Sequence, residues 1–280
     1  MSDTSAGTTV DGRSGGPTAG PSSPGPVLEI ESVQRTFVGK RRSVNALGPV
    51  TFSVDEGTFV SIVGPSGCGK STLLKIMYGV VPATDGTVRY RGRDVRGHGS
   101  DFGMVFQAPV LLPWRSNLKN VMLPLEVLKR SNAAGEARAR ELLDMVGLAD
   151  FADHRPSELS GGMQQRVAIC RALVHDPDVL LLDEPFGALD AMTREQLNDD
   201  LLTIWSETGK TVVFVTHDIS EAVYLSDRVL VMSARPGTVR DDIAIDQQRP
   251  RGLETRRHPA FEDYGIRIRT ELGLAHDAGH

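Results

Sequence analysis

The sequence predicts an α/β fold built on a phosphate-binding core, with a helical segment inserted into it. Three observations carry that prediction. A Gly-rich run, GPSGCGKST at residues 64–72, directly follows the apolar strand pattern TFVSIV and opens a helical pattern. Uninterrupted apolar runs, VLLLDEP, TVVFVTH and RVLVMS, read as strands of a parallel sheet covered on both faces. Helical patterns separate those runs, and helices are the usual connection between parallel strands.

Taken in order, residues 1–26 are rich in Gly, Ser, Thr and Pro and contain no aromatic residue. Such a stretch buries too little apolar surface to offset its ordering entropy, so it is expected to be disordered. VLEIESVQRTF, TFSV, TFVSIV and TVRYRG read as strands separated by Gly-containing turns, and KSTLLKIMYG as a short helix stopped by Gly79. Residues 118–147 turn helical and polar, with no strand candidate, which marks a helical subdomain at about residues 108–175. REQLNDDLLTIWSETG and ISEAVYLS are further helices around TVVFVTH and before RVLVMS. After Gly237 a strand pair is expected, then a helix near residues 259–272. The expected division is a tail (1–26), one core domain (27–240) and a short C-terminal extension (241–280).

Apolar residues make up 40% of the 280 and charged residues 24%, as in soluble globular proteins; the net charge of −5 offers no basic field for nucleic acid. Cys68 and Cys170, the two cysteines, lie far apart in unlike contexts, which argues against a disulfide framework and against a structural zinc site. No apolar run is long enough to span a bilayer, and the N-terminus lacks the basic and apolar segments of a secretory signal. A cytoplasmic protein is expected, reaching a membrane only through a partner.

Gly64, Pro65, Ser66, Gly67, Cys68, Gly69, Lys70, Ser71 and Thr72 fit G-x-x-x-x-G-K-[ST] in its required strand–loop–helix setting. The glycines let backbone N–H groups wrap phosphates. Lys70 places a cation near the β and γ phosphates, and the Ser71 hydroxyl can ligate Mg²⁺. Cys68, beside Lys70 and a helix N-terminus, sits where a thiolate is favoured, so a thiol reagent is expected to block the loop. Asp183 and Glu184 end the VLLLDEP strand, at the carboxyl edge where open α/β sheets bind ligands. Asp183 can hold Mg²⁺, and Glu184 can polarise an attacking water as general base.

A second motif, LSGGMQ at residues 159–164, reads as a helix start with Ser160 as N-cap. Gly161 and Gly162 occupy its first turn, where each costs roughly 1 kcal/mol relative to Ala. A hydroxyl, bare N–H groups and a positive helix end make an anion site. A chain that already has a phosphate loop leaves this second site unexplained.

Phosphate loop, LSGGMQ and LLLDEP occur in the order and spacing of ABC transporter ATP-binding subunits, which residues 27–237 resemble. The resemblance implies an ABC ATPase fold: a phosphate-loop core with mixed sheet, an antiparallel β subdomain and the inserted helical subdomain. It implies ATP and Mg²⁺ as cofactors, and a homodimer formed on ATP binding, with two subunits pairing head to tail. Ser160, Gly161, Gly162 and Gln164 of one subunit then cap the ATP on the other's phosphate loop, the glycines letting the backbone approach. By the same resemblance Gln107 reaches Mg²⁺ and the attacking water, and His217 contacts the γ-phosphate and positions Glu184. Asp190 in GALD lies in a loop crossing the dimer interface, and Phe37 stacks on adenine.

FQAPVLLPW, EPFGALDAMTR and FVTHDISEAVYLSDRVLVMSARPG are similar to importers of nitrate, sulfonates and taurine; Cys170 departs from the usual alanine. That likeness implies membrane permease subunits as partners, a solute-binding protein indirectly, and a peripheral place at the cytoplasmic face of the membrane. Trp114, flanked by Pro113 and Arg115, is an unusual choice for a solvated loop and is expected to anchor the permease. A soluble ABC ATPase of translation or DNA maintenance is the competing reading, weakened by the single cassette and by the absence of coiled-coil or zinc-cysteine insertions. A small-molecule kinase would leave LSGGMQ unexplained.

Overall fold

The computed structural model describes residue 1 and residues 25–39, 42–95, 97 and 99–274. The expected disorder of residues 1–26 therefore lies, apart from residues 1, 25 and 26, outside the described residues. Strands β1 (Leu28–Val38) and β2 (Ser43–Val54) pair antiparallel, and β3 (Phe59–Val63) leads into helix α1 (Lys70–Met77). The chain then returns through β4 (Asp85–Tyr90) and a short β5 (Arg93–Asp94). After β6 (Phe102–Val105) come α2 (Asn117–Val121), α3 (Leu123–Val127), α4 (Ala133–Met145) and α5 (Gly161–Leu173). The rest is β7 (Val179–Asp183), α6 (Ala191–Thr208), β8 (Thr211–Thr216), α7 (Ile219–Leu225), β9 (Arg228–Met232), β10 (Val239–Ala244), α8 (Leu253–Arg257) and α9 (Pro259–Glu271).

Two sheets result. One is antiparallel, in order β2-β1-β4-β5; the other is mixed, in order β10-β9-β3-β8-β7-β6, with β10 antiparallel to β9. The apolar runs of β3, β7 and β8 are buried along their whole length, as two-sided cover demands. One face carries Leu73, Leu74 and Met77 of α1 and the antiparallel sheet; the other carries α5, α6 and the helical insertion.

Register decides where the loops emerge. Val63 pairs with Thr216, Asp183 with Val215 and Val105 with Leu182. The carboxyl ends of β3, β8, β7 and β6 are therefore level, and the segments that follow them start along one edge.

Three expectations are corrected. The strand seen in TFSV begins eight residues earlier, at Ser43, because Gly48 and Pro49 do not break it. Gly48 donates its N–H to Gly237 O (3.0 Å), and Leu47 bridges Gly237, so this part of β2 is held from the side. After Gly237 the described residues hold one strand, β10, and not a pair, because it folds back onto β9. The division at residue 240 also falls inside β10. Ile243, Ile245 and Ile268 pack with Val229, Val231 and Val223, so the C-terminal segment completes the core. Arg251 donates to the carbonyls of Val223, Tyr224 and Ser226, capping the C-terminal end of α7.

Candidate nucleotide site

The phosphate loop is shaped by glycines in places no other residue fits. Gly69, the N-cap of α1, has φ +112°, and a Cβ there would lie 2.6 Å from Leu47 Cδ2 and 2.8 Å from Ala46 O. The first-turn N–H groups of α1 have no intrahelical acceptor and face the loop's concavity with the positive end of the helix. Lys70 is only 4% exposed. Its Nζ donates to Gly64 O (2.8 Å) and Pro65 O (3.3 Å) and lies 3.7 Å from Glu184 Oε1. A buried ammonium needs such partners, because desolvation otherwise costs several kcal/mol. Pro65 and Ser66 are exposed at the rim, and Thr72 is half-buried in the first turn of α1. Cys68 is buried against Gly64, and its N–H donates to Pro65 O (3.2 Å). The expected ready reaction of its thiol has no exposed sulfur to act on.

The level strand ends bring the predicted polar residues together. Ser71 Oγ donates to Asp183 Oδ1 (2.7 Å). Burial pushes the Asp183 carboxyl up from its ordinary range, against the lowering effect of that hydroxyl. Glu184 turns out of β7 with φ +44°, a left-handed conformation for a non-glycine, while its N–H donates to Val215 O (2.9 Å). Strain of this kind costs of order 1–3 kcal/mol and gathers at functional sites. It leaves Glu184 Oε2 2.9 Å from His217 Nδ1. Gln107 reaches the same place: a Cβ on Gly187 would lie 3.6 Å from His217 Cε1 and 3.8 Å from Gln107 Nε2.

The donor set fits a magnesium–nucleotide complex. A serine hydroxyl and a carboxylate at hydrogen-bond distance are hard oxygen ligands, as Mg²⁺ requires. Among the described residues no three His, Cys, Asp or Glu side chains gather to hold a metal unaided. A cation here would rely on phosphate oxygens and water, as Mg²⁺ at phosphate loops does.

The start of α5 is built differently. Ser160 is exposed and accepts from Met163 N–H (3.3 Å), as an N-cap should. Gln164 Nε2 is turned back onto Pro156 O (2.9 Å) and Leu159 O (3.2 Å). Gly162 has a reason within the chain: a Cβ there would lie 2.6 Å from Thr193 Cγ2 on α6. Gly161 is less demanding, 3.3 Å from Leu189 Cδ2 by the same measure. Asp190 caps α6, accepting from Thr193 N–H (3.0 Å) and Thr193 Oγ1 (2.7 Å). These bonds hold its carboxyl below the usual range.

Phe37 is 41% exposed, not core, and the Arg35 guanidinium covers its ring at 4.5 Å. Trp114 is 70% exposed and so does not pack the helical insertion onto the sheet. It lines a polar hollow with Arg115, Lys119 and Asp153. A separate apolar groove of 330 Å³ opens between Phe106 and Val110 on the Gln107 segment and Leu123, Val127 and Ala172 of the insertion. Arg171 of α5 holds that segment by donating to Pro109 O (2.7 Å) and Val110 O (2.8 Å).

One residue at the loop escaped sequence reasoning. Arg235 donates through Nε (3.0 Å) and Nη2 (2.7 Å) to Gly67 O. Behind it, a Cβ on Gly237 would fall 2.1 Å from Cys68 O, so the 233–238 turn presses against the phosphate loop. SARPG carried no local signal of this contact.

Comparison with known proteins agrees with the geometry. The ABC transporter family model matches residues 47–187, from β2 through the phosphate loop and LSGGMQ to the turn after Glu184. The taurine import ATP-binding protein TauB of Rhizobium johnstonii is 52% identical over 76% of this chain and 82% of its own. The nitrate import ATP-binding protein NrtD of Synechocystis is 44% identical over 88% and 94%. A dimeric post-hydrolysis state of the ATP-binding cassette MJ0796, bound to ADP and Pi, superposes with a TM-score of 0.70 at 37% identity, covering 79% of this chain and all of that one. Motif order, the two-sheet fold and these relatives lead to one conclusion: the chain belongs to the ABC transporter family, as an ATP-binding subunit that hydrolyses ATP.

Proposed function

We propose that this subunit drives import of a small anion, of the nitrate, sulfonate or taurine kind, by closing on ATP as a homodimer and reopening after hydrolysis. The observation that carries the hydrolytic part is the 2.9 Å Glu184–His217 bond at the head of a row that also holds Lys70 and the Ser71–Asp183 pair. Lys70 offsets phosphate charge within a desolvated loop, where a fixed cation counts most. Glu184 Oε1, the oxygen not engaged by His217, accepts the proton of the attacking water. His217 keeps that carboxylate aimed, and Gln107 completes the polar ring around the water. Mg²⁺ held by Ser71 and Asp183 would neutralise charge on the β and γ phosphates.

The exposed start of α5 supports a site completed in trans. Among the described residues Ser160 Oγ is bonded only within its own first turn, and it presents its hydroxyl and the helix N-terminus outward. Phe37, an exposed aromatic at the end of β1, supplies a face for adenine. The dimeric state of the MJ0796 cassette supports the same arrangement.

Coupling belongs to the Gln107 segment. Phe106 and Val110 are exposed apolar residues on either side of Gln107 and line the 330 Å³ groove, a seat for a cytoplasmic segment of a permease. Trp114 stands on the same segment as an anchor beside it. Among the described residues no helix is long and apolar enough to cross a membrane, so attachment through that permease makes the subunit peripheral. A solute-binding protein then supplies the anion from the other side.

Uptake by the reconstituted complex tests the reading. Nitrate, taurine, an alkanesulfonate and a sugar are offered to vesicles, and ATP-dependent accumulation of one anion but not the sugar is expected. Trp114→Ala should keep thermal stability and basal ATPase, yet lose association with the permease about thirtyfold, the worth of one central anchor. Full-strength association would remove Trp114 from the interface.

A further inference from the structure

Three acceptors around one guanidinium connect two loops that sequence places far apart. Arg194 lies in the first turn of α6, four residues after Asp190. Its Nη2 donates to Leu189 O (3.0 Å), the carbonyl just before Asp190, and its Nη1 to Asp218 Oδ2 (3.3 Å), just after His217. Its Nε points at Glu221 Oε1 across 3.7 Å. That distance is too long for a hydrogen bond. Neither atom has another partner among the described residues, and both are buried.

Glu221 is itself fastened to the turn that carries His217. Its Oε2 accepts from Thr216 Oγ1 (2.6 Å), and Thr216 Oγ1 in turn accepts from Asp218 N–H (3.0 Å). Asp218 Oδ1 takes the N–H groups of Ser220 (2.8 Å) and Glu221 (3.2 Å). The residues on both sides of His217 are thus held by Glu221 and Asp218, and both of those face Arg194. Burial pushes the Glu221 carboxyl up, with Asp218 adding to the rise and Arg194 opposing it. This buried carboxylate oxygen and buried guanidinium N–H form an ion pair at 3.7 Å without a hydrogen bond between them. A shift of about 1 Å would pair them.

We propose that Arg194 is a positioning residue for hydrolysis. It ties the 187–190 loop, at Leu189, to the 216–218 turn, and so sets His217 against Glu184. The inference rests on the reading that Glu184 and His217 perform hydrolysis, and it names what holds them in step with the loop that bears Asp190. A displacement of that loop by a second subunit reaches His217 through this guanidinium, and the open Nε–Oε1 gap is the slack it takes up. The hydrogen bonds and ion pairs of Arg194 run to Leu189, Asp218 and Glu221 and not to the phosphate loop, so its loss is expected to spare nucleotide affinity.

The test compares Arg194→Met, Arg194→Lys, Glu221→Gln and the Arg194→Met/Glu221→Gln double variant in the full chain. ATP affinity, kcat, KM and thermal midpoint are read for each. Arg194→Met should lower kcat about ten- to hundredfold, the usual result of misplacing a catalytic group by about 1 Å, with ATP affinity changed less than about twofold. Arg194→Lys, which keeps the charge but lacks the planar fork, should recover only part of the loss. Glu221→Gln keeps an acceptor for Thr216 and tests the same link if Arg194→Met fails to fold; it should lower kcat by about three- to tenfold. The double variant should be no slower than the worse single, because both substitutions cut one connection. An unchanged kcat in the folded variants, full rescue by lysine, or equal losses in kcat and ATP affinity would each overturn the proposal. His217→Ala, assayed alongside, separates the two levels. If it abolishes hydrolysis while Arg194→Met does not, only the link is wrong. If His217→Ala hydrolyses normally, the reading of the site falls with it.

Discussion

The edge formed by the strand ends and the start of α5 are the two places proposed to meet phosphate, yet they differ in how far each is finished. At the edge, charged groups already engage one another: Lys70 with Gly64 O and Glu184, Ser71 with Asp183, and Glu184 with His217. At the start of α5 no charged side chains meet: Ser160 caps its own first turn through Met163 N–H, Gln164 turns back onto Pro156 O and Leu159 O, and Gly162 packs against Thr193. A buried edge must satisfy its charges within the chain, because desolvation is otherwise too costly. An exposed helix end can leave its N–H groups to water until an anion replaces it. On the proposed function, the difference separates a site preformed in one subunit from a site that needs another molecule.

Breaking the edge should have the largest effects. Glu184→Gln keeps shape and removes the base, so hydrolysis should fall on the order of 10²- to 10⁴-fold while ATP still binds. The same variant should accumulate as an ATP-bound dimer, and light scattering that finds only monomer with saturating Mg-ATP would contradict the trans site. Lys70→Ala removes a buried cation from its anion and should weaken ATP binding by about hundredfold in a nucleotide titration. Retained affinity would show that the loop backbone suffices.

Smaller effects sharpen the contrast at α5. Gly162→Ala should destabilise the fold by about 1–3 kcal/mol, because its Cβ meets Thr193 Cγ2 at 2.6 Å. Thr193→Ser removes that methyl and keeps the hydroxyl that binds Asp190, so the double variant should regain most of the thermal stability. If hydrolysis returns as well, Gly162 serves helix packing alone; if stability returns and hydrolysis does not, the backbone there meets the partner's nucleotide. Phe37→Ala should weaken ATP binding by about 0.5–1.5 kcal/mol, one stacking contact, with GTP affected to a similar degree. An unchanged affinity would leave Phe37 to Arg35 alone.

Much of the site was legible because its parts are local. GPSGCGKST, the acidic pair after VLLL and the His after VVFVT each sit at a strand end that apolar patterning marks by itself. What was not legible depends on distance along the chain. Arg235 and Gly67 are 168 residues apart, and no periodicity relates them. The same holds for Arg194 and the His217 turn, where the decisive neighbour is a carbonyl, a group that every residue carries. Trp114 was expected as an anchor on one continuous segment, but the apolar groove formed beside Phe106 and Val110, because the insertion places Leu123 and Val127 there. The strand read at TFSV came out too short, since propensity cannot see the Gly237 backbone that holds its earlier part, at Gly48, from the side.

By itself the sequence determined the α/β class, the phosphate loop, the helix cap at Ser160 and the residue types able to bind and hydrolyse a nucleotide. These follow from spacing, polarity and backbone freedom within a few residues of each other. Only the tertiary structure decided that Ser71 meets Asp183, that Glu184 leaves its strand at φ +44° to reach His217, and that Gly162 is small for Thr193. Strand register and helix packing set those meetings, and both are properties of surfaces brought together from distant parts of the chain.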